Sequence, residues 1–157
     1  SIKVLNGNLY RNIEWPVVVM LAAMIPVGQA LETSGISLNI ANFISTSTAG
    51  MALPWLILMI LVITMFVSDI VNNAATAVIM APIAANLAIQ VGQPVEPFLM
   101  AVAVGASCAF LSPIGHQCNT LIMAPGNYKF GDYWRLGLPL ECVIVAISIP
   151  MILFVWT

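Results

Sequence analysis

Long apolar runs make up most of this chain, and two of them are long enough to cross a lipid bilayer. One extends from Trp15 to Leu31 and the other from Leu138 to Trp156. A transmembrane helix needs roughly 17 to 25 mainly apolar residues. The pattern therefore predicts a spanning helix near each end of the chain, with kinks at Pro26 and Pro150.

The segment from Ile36 to Gly50 has a different pattern, because Ser, Thr and Asn are mixed with Ile, Leu and Phe. This mixture is too polar for a lipid-facing span, but it suits a short helix that lies along the membrane surface. We expect this segment not to cross the membrane.

A polar stretch, Ser68 to Asn73, interrupts the most apolar part of the chain. The arm before it, Leu53 to Phe66, has 14 residues. As a helix this arm would be roughly 21 Å long, against a hydrocarbon core of about 30 Å. The arm after it, Ala74 to Ile89, contains Pro82 and Asn86. Two short arms around a polar tip predict a re-entrant helical hairpin, whose tip must be buried in protein or line a wet cavity.

A second polar stretch, Ser112 to Thr120, interrupts another apolar helix. The helix predicted before it, Phe98 to Leu111, is rich in Ala and Gly, which allows close approach to a neighbouring helix. Only Leu121 to Ala124 remains of the helix after it. Because Pro113 and Gly115 lie inside the stretch, we predict a broken transmembrane helix, a feature of secondary transporters.

The composition supports this membrane interpretation. Hydrophobic residues make up 61% of the chain and charged residues only 6%, whereas soluble domains carry about 25% charged residues. The three cysteines, Cys108, Cys118 and Cys142, show neither metal-site nor disulfide spacing and are interpreted as small apolar residues. The sequence begins without Met, and we expect it to be a piece of a longer chain.

The basic residues predict the topology of a multi-pass protein of the cell membrane. Lys3 and Arg11 precede the first predicted span, and Lys129 and Arg135 precede the last. Both places should face the cytoplasm, which puts the C-terminus outside. One full span, a hairpin and a broken span between them give the required two crossings. Four crossings would have the same parity, so only the shortness of the hairpin arms favours the hairpin.

We expect the two polar stretches to meet and form a binding site. Helix N-termini inside the membrane offer unpaired N–H groups to an anion, and unwound carbonyls with Asn and Ser oxygens suit sodium. A site that holds both ions is what an ion-coupled anion symporter requires. The alternative is that the polar side chains only connect neighbouring helices. The candidate residues are Ser68, Asn72, Asn73, His116, Gln117 and Asn119.

Two residues of these stretches stay ambiguous. Asp69 would add a negative charge to an anion site, so it either couples transport to a proton or sodium or has a structural role. His116 is the only histidine of the chain, and it either donates to an anion or is structural.

The chain resembles the divalent anion/sodium symporter family, part of the ion transporter superfamily. The similarity is carried by Val71 to Thr76, Cys108 to Thr120, Gly126 to Tyr128 and Asp132 to Pro139, and it covers nearly the whole chain. It is most similar to the C-terminal half of sulfate or anion permeases that carry TrkA-C domains between two membrane halves.

The resemblance implies sodium as the coupling ion and no further cofactor. When the family's sodium ligands in the C-terminal half are transferred to the aligned positions of this chain, they fall on Ser68, Asn73 and the backbone of Gly115. We expect no separate metal site and no catalytic residue.

The resemblance also implies an anion site. The Ser-Asn-Thr motif that binds substrate carboxylate in the family aligns with Asn72, Asn73 and Ala74, and its Thr-Pro pair aligns with His116 and Gln117. Hydroxyl groups are lost in these replacements, which puts the binding of a dicarboxylate in question. The Asn, His and Gln side chains still offer donors to an oxyanion such as sulfate.

Members of this family contain two inverted repeats, form dimers and are thought to move their hairpins as an elevator. The resemblance therefore implies that residues 1–157 are the C-terminal transmembrane repeat of a larger transporter. Its partners would be the N-terminal half, a second copy, the lipid bilayer and a small inorganic or carboxylate anion, with no nucleic acid. Alone, this chain should not transport.

Two other classes of membrane protein are kept as alternatives. An arsenite or sodium/proton antiporter of the same superfamily would depend on Asp69, and a non-transporting membrane module would use the polar breaks as helix contacts. An enzyme is not expected, because no nucleophile–base pair or metal cluster is visible in the sequence.

Overall fold

The computed structural model describes residues 15–48 and 50–157, so the predicted loop at residues 1–14 lies outside the described part. All regular structure in the described part is helical, as predicted. The helices are α1 (Trp15–Thr33), α2 (Ile36–Ser47), α3 (Leu53–Ile70), α4 (Asn73–Gln90), α5 (Glu96–Ala106), α6 (Gln117–Met123) and α7 (Phe130–Trp156).

The core lies between α3, α4 and α5, whose facing side chains are almost entirely apolar. Its fully buried members include Ile57, Leu61, Leu87 and Phe98. α3 and α5 approach closely because Gly105 has no side chain: a Cβ there would lie 2.9 Å from the Leu61 carbonyl oxygen. This is the close approach that the Ala- and Gly-rich pattern of α5 predicts.

α1 and α2 pack on the outer side of α4. α1 ends at Thr33, and Gly35 then takes a left-handed conformation with φ 71° that turns the chain into α2. α2 is a 12-residue helix, too short to cross a bilayer. Asn86 of α4 donates a hydrogen bond to Ser37 Oγ at 3.3 Å, so this polar side chain is used to join α4 to α2.

The hairpin arms are longer than the sequence predicted. α3 continues to Ile70 instead of ending at Phe66, because Ser68 and Asp69 find partners on other segments and can stay helical at a buried position. The tip is therefore only Val71 and Asn72. Each arm has 18 residues, roughly 27 Å of helix, so the argument that the arms are too short to cross was wrong.

The boundaries around the second polar stretch also differ from the prediction. α5 ends at Ala106 and not at Leu111, and the chain is irregular from Ser107 to His116, which we call the α5–α6 loop. Helix resumes already at Gln117, because the side chains of His116 and Thr120 satisfy backbone groups at this restart. α6 is thus longer than the predicted remnant Leu121 to Ala124.

The last helix begins eight positions before the predicted start at Leu138. Asp132 accepts a hydrogen bond from the Lys129 backbone N–H at 2.9 Å and so caps the helix at Phe130. The segment before the predicted span, which includes Arg135, is therefore largely the first part of α7. Three described helices, α3, α4 and α7, are long and apolar enough to cross a membrane.

Candidate functional site

The two polar stretches contact one another, as the sequence predicted. Ser112 Oγ donates to the Asp69 carbonyl oxygen at 2.5 Å, and the Leu111 N–H donates to Asp69 Oδ1 at 2.9 Å. Gly115 lies against the same turn of α3: a Cβ there would be 2.6 Å from the Ser68 carbonyl oxygen. The C-terminal end of α3 is thus held directly on the α5–α6 loop.

Ser68 joins three segments at one buried point. Its hydroxyl lies 2.7 Å from the Ala106 carbonyl oxygen and 3.0 Å from the amide group of Asn73. A hydroxyl has a single hydrogen to donate, and the Ala106 carbonyl can only accept. We therefore orient the Asn73 amide with its NH₂ toward Ser68 Oγ, since amide orientation is assigned from the hydrogen-bond network. Asn73 thus ties the start of α4 to Ser68.

The hairpin tip is followed by the capped N-terminus of α4. Asn72 Oδ1 accepts the backbone N–H of Ala75 at 2.8 Å, which is the N-cap interaction of α4. The first N–H groups of a helix have no acceptor within the helix, and the helix start carries a partial positive charge. The N–H groups of Asn73 and Ala74 belong to this first turn of α4.

His116 caps α6 in a similar way. Its Nδ1 accepts the Cys118 backbone N–H at 3.2 Å. A neutral imidazole that accepts at Nδ1 carries its hydrogen on Nε2, and the side chain is exposed. His116 can therefore donate to an anion through Nε2. The side chain of the neighbouring Gln117 lies outside the described part.

Asn119 has a structural place in the loop. Its NH₂ group donates to the carbonyl oxygens of Ala109 at 2.9 Å and Ser112 at 3.2 Å, so both amide hydrogens are used. Substrate binding by Asn119 stays a prediction. Two further hydrogen bonds stabilise this region: the Thr120 hydroxyl donates to the Pro113 carbonyl oxygen, and the Tyr133 hydroxyl donates to the Asn119 carbonyl oxygen.

A cavity of about 250 Å³ lies between α6 and α7. Asn119 borders it, while Ser68, Asn73 and His116 do not. Most of its lining is apolar or aromatic, with Tyr128, Asp132 and Tyr133 at its edge. Among the predicted site residues, Ser68 and Gly115 are buried, whereas Asn72 and His116 are exposed on an open face of the chain.

Two residues that sequence reasoning missed also hold the α5–α6 loop. Gly137 of α7 packs on the Phe110 carbonyl so closely that a Cβ would overlap it. Glu141 lies one turn later, and the Phe110 backbone N–H interacts with its carboxyl group. The signal for Glu141 was present, because it is the only charged residue in the predicted span Leu138 to Trp156.

Comparison with known proteins gives consistent matches. Residues 3–105 and 52–157 match the family model described as citrate transporter. The chain is 37% identical to an uncharacterized transporter of Synechocystis sp. over 93% of its own length and 24% of that protein.

Two further relatives have names that state a substrate. The chain is 30% identical to sodium/sulfate cotransporter 2 of Chlamydomonas reinhardtii, over 88% of its own length and 16% of that protein. It is also 30% identical to sodium-dependent high-affinity dicarboxylate transporter 3 of Caenorhabditis elegans, over 85% of its own length and 24% of that protein. The chain spans about a quarter or less of these relatives.

Proposed function

We propose, from the premise that this chain belongs to the citrate transporter family, that it is the C-terminal transmembrane repeat of a secondary active transporter. The transporter would carry a divalent anion, sulfate or a dicarboxylate, together with sodium. The observation that carries this proposal is the junction of Ser68, Asn73 and Gly115, where α3, the start of α4 and the α5–α6 loop meet.

In the membrane, α3 and α4 would form the re-entrant hairpin, and α5 and α6 the broken span. Irregular backbone at membrane depth requires cover by protein or access to water. The α5–α6 loop supplies such cover for Ser68 and Asp69, which are 0% and 6% exposed. The arms are long enough to cross, so this burial, and not arm length, supports the hairpin.

The sodium ion would bind at the junction of the three segments. Asn73 Oδ1, the Ser68 hydroxyl oxygen and the backbone carbonyl of Gly115 are oxygen donors of the kind that binds sodium in broken-helix transporters. Gly115 has a further reason to be glycine, because the loop must lie against the Ser68 backbone. Asp69 points into the same contact and would contribute to coupling.

The anion would bind at the start of α4. The N–H groups of Asn73 and Ala74 and the positive end of the helix favour negative charge. The His116 Nε2–H and the amides of Asn72 and Gln117 would complete the donors. The loss of hydroxyls at positions 72, 74 and 116, with Asn72, His116 and Gln117 as the remaining donors, favours sulfate, whereas the relatives' names include both sulfate and dicarboxylate.

The remaining parts of the proposal concern assembly. The N-terminal half of the transporter would close the open face on which the site lies, and a second copy would complete a homodimer in the cell membrane. A TrkA-C domain would stand between the two halves. The site contains donors from this repeat only, so the chain would not transport alone.

Uptake of labelled sulfate, succinate and citrate into proteoliposomes holding the complete protein tests the proposal. We expect sodium-driven uptake of one of these anions in the parent, its loss in Asn73→Ala, and its retention in Asn86→Ala. The control removes an asparagine from the same helix at a contact with Ser37, far from the tip. Uptake that a proton gradient drives without sodium would support the antiporter class instead, and no uptake under either gradient would support a non-transporting module.

A further inference from the structure

Glu141 is an acidic side chain in the middle of the apolar helix α7, and it has only part of the hydrogen bonding that a carboxylate needs. The carboxyl group lies near the Phe110 backbone N–H. Its oxygen Oε1 is buried and has no hydrogen-bond partner among the described residues. A carboxylate accepts at both oxygens when it is ionised, so half of this group is unsatisfied.

The surroundings of Glu141 are apolar. It lines a groove of about 400 Å³ between α3 and α7, together with Val62, Met65, Leu138 and Val145. A bare negative charge in such a groove loses its hydration and gains nothing in return.

No basic side chain compensates this charge within the described residues. Lys129 and Arg135 lie at the start of α7 and are exposed. Of the elements packed on α7, α3 contributes Asp69 and the loop after α5 contributes Cys108, and both interact electrostatically with Glu141. The one titratable residue of α5 is Glu96 in its first turn, and Cys142 follows Glu141 on α7. Because Asp69 is acidic, it makes a negative charge on Glu141 still less favourable.

We propose that Glu141 is a proton-binding residue, which takes up a proton on Oε1 from the groove between α3 and α7. The proton comes from water and returns to water, and no other group is changed. Glu141 lies on α7 and meets the α5–α6 loop at Phe110, whereas the sodium junction involves Gly115 of that loop, and Asp69 is close to both. Uptake and release of the proton would change the interaction between the Glu141 carboxyl group on α7 and the Phe110 backbone N–H.

A proton is favoured over a metal cation at this position. No group of three or more His, Cys, Asp or Glu side chains that could hold a metal lies within the described residues. A proton needs only one oxygen, and it removes the charge that the groove cannot solvate.

Infrared spectroscopy of the complete protein, purified and reconstituted in lipid, tests this proposal without any transport measurement. A protonated carboxyl group has a carbonyl stretch that an ionised one lacks. We expect such a band, its shift on labelling glutamate with ¹³C at the carboxyl carbon, and its loss in Glu141→Gln. Glu96→Gln, which removes an exposed glutamate at the start of α5, should keep the band. A band that persists in Glu141→Gln overturns the proposal, as does the absence of any glutamate band across the pH range.

Two further outcomes separate the possibilities. If sodium or potassium abolishes the band at constant pH, the residue binds a cation and the proposal is wrong. Glu141→Asp is a second variant where Glu141→Gln does not fold: with labelled glutamate, its band should lose the isotope shift, because the carboxyl group at this position is then an aspartate. A link to transport rests on the proposed function: Glu141→Gln would then remove the pH dependence of uptake. The band would remain even if none of the tested anions were transported.

Discussion

At the level of single residues, Ser68 and Gly115 decide how the hairpin meets the loop. The Ser68 hydroxyl connects α3 with the last turn of α5. Gly115 has no side chain, which lets the α5–α6 loop lie against the Ser68 carbonyl oxygen. Both were predicted as sodium ligands, and their packing gives each a second, structural reason for its identity. Substitutions must therefore separate packing from ion binding.

Gly115→Ala tests the packing. The new Cβ would lie 2.6 Å from both the Ser68 carbonyl oxygen and the Ala109 Cβ. The Ser68 carbonyl is part of the α3 backbone, so it cannot rotate away as a flexible side chain could. We expect a loss of stability of about 1–3 kcal/mol, the usual cost of overpacking, measured as a lower melting temperature of the complete protein.

Gly131→Ala is the matched control for this change. Gly131 lies in the first turn of α7, and no heavy atom lies within 4 Å of the place that a new methyl group would occupy. Alanine should therefore be neutral or stabilising by up to about 1 kcal/mol. Equal melting temperatures for the two variants would contradict the close contact between Gly115 and Ser68.

At the level of elements, the sequence identified every helix but misplaced the ends at the polar stretches. Polar residues at 68 and 69 indicated a tip, yet α3 runs through them because their partners come from the end of α5 and the α5–α6 loop, which are distant in sequence. Partners of this kind are invisible in the local pattern. Gly35, in contrast, ends α1 through a local conformational preference, and its role was predictable.

The same reasoning explains what was found and missed in the site. The contact between the two stretches followed from the cost of burying polar groups in an apolar environment. The use of both Asn119 amide hydrogens by the loop depends on its folded path and could not be read from the sequence.

The start of α4 allows capping to be separated from anion binding. Asn72 caps the helix, and Asp is as good a cap as Asn, but its charge repels an anion. We expect Asn72→Asp to keep the N-cap of α4 and to lose anion uptake. Asn72→Ala should lose about 0.5–2 kcal/mol of stability as well. Normal anion uptake by Asn72→Asp would show that the start of α4 does not bind the anion.

At the level of the whole molecule, the proposed hairpin and broken span determine which connections face each side of the membrane. They place the connection between α4 and α5 outside and the connection between α6 and α7 in the cytoplasm. The basic residues Lys129 and Arg135 near the second connection agree with this orientation.

Single cysteines at Gln93 and Lys129, in a background without other cysteines, test the orientation. Both positions are exposed. A membrane-impermeant thiol reagent added outside intact cells should label Gln93→Cys and a cysteine appended to the C-terminus, but not Lys129→Cys. Labelling of all three from the same side would contradict the proposed crossing by α5 and α6.

The most direct test of the central claim is whether sodium binds at the junction of α3, α4 and the α5–α6 loop. A ligand that binds only the folded protein raises its stability by mass action, so sodium should raise the melting temperature of the complete protein above its value in potassium at equal ionic strength. We predict a clearly smaller rise in Ser68→Ala and Asn73→Ala and a full rise in Asn86→Ala. A full rise in Ser68→Ala and Asn73→Ala would contradict a sodium site at this junction.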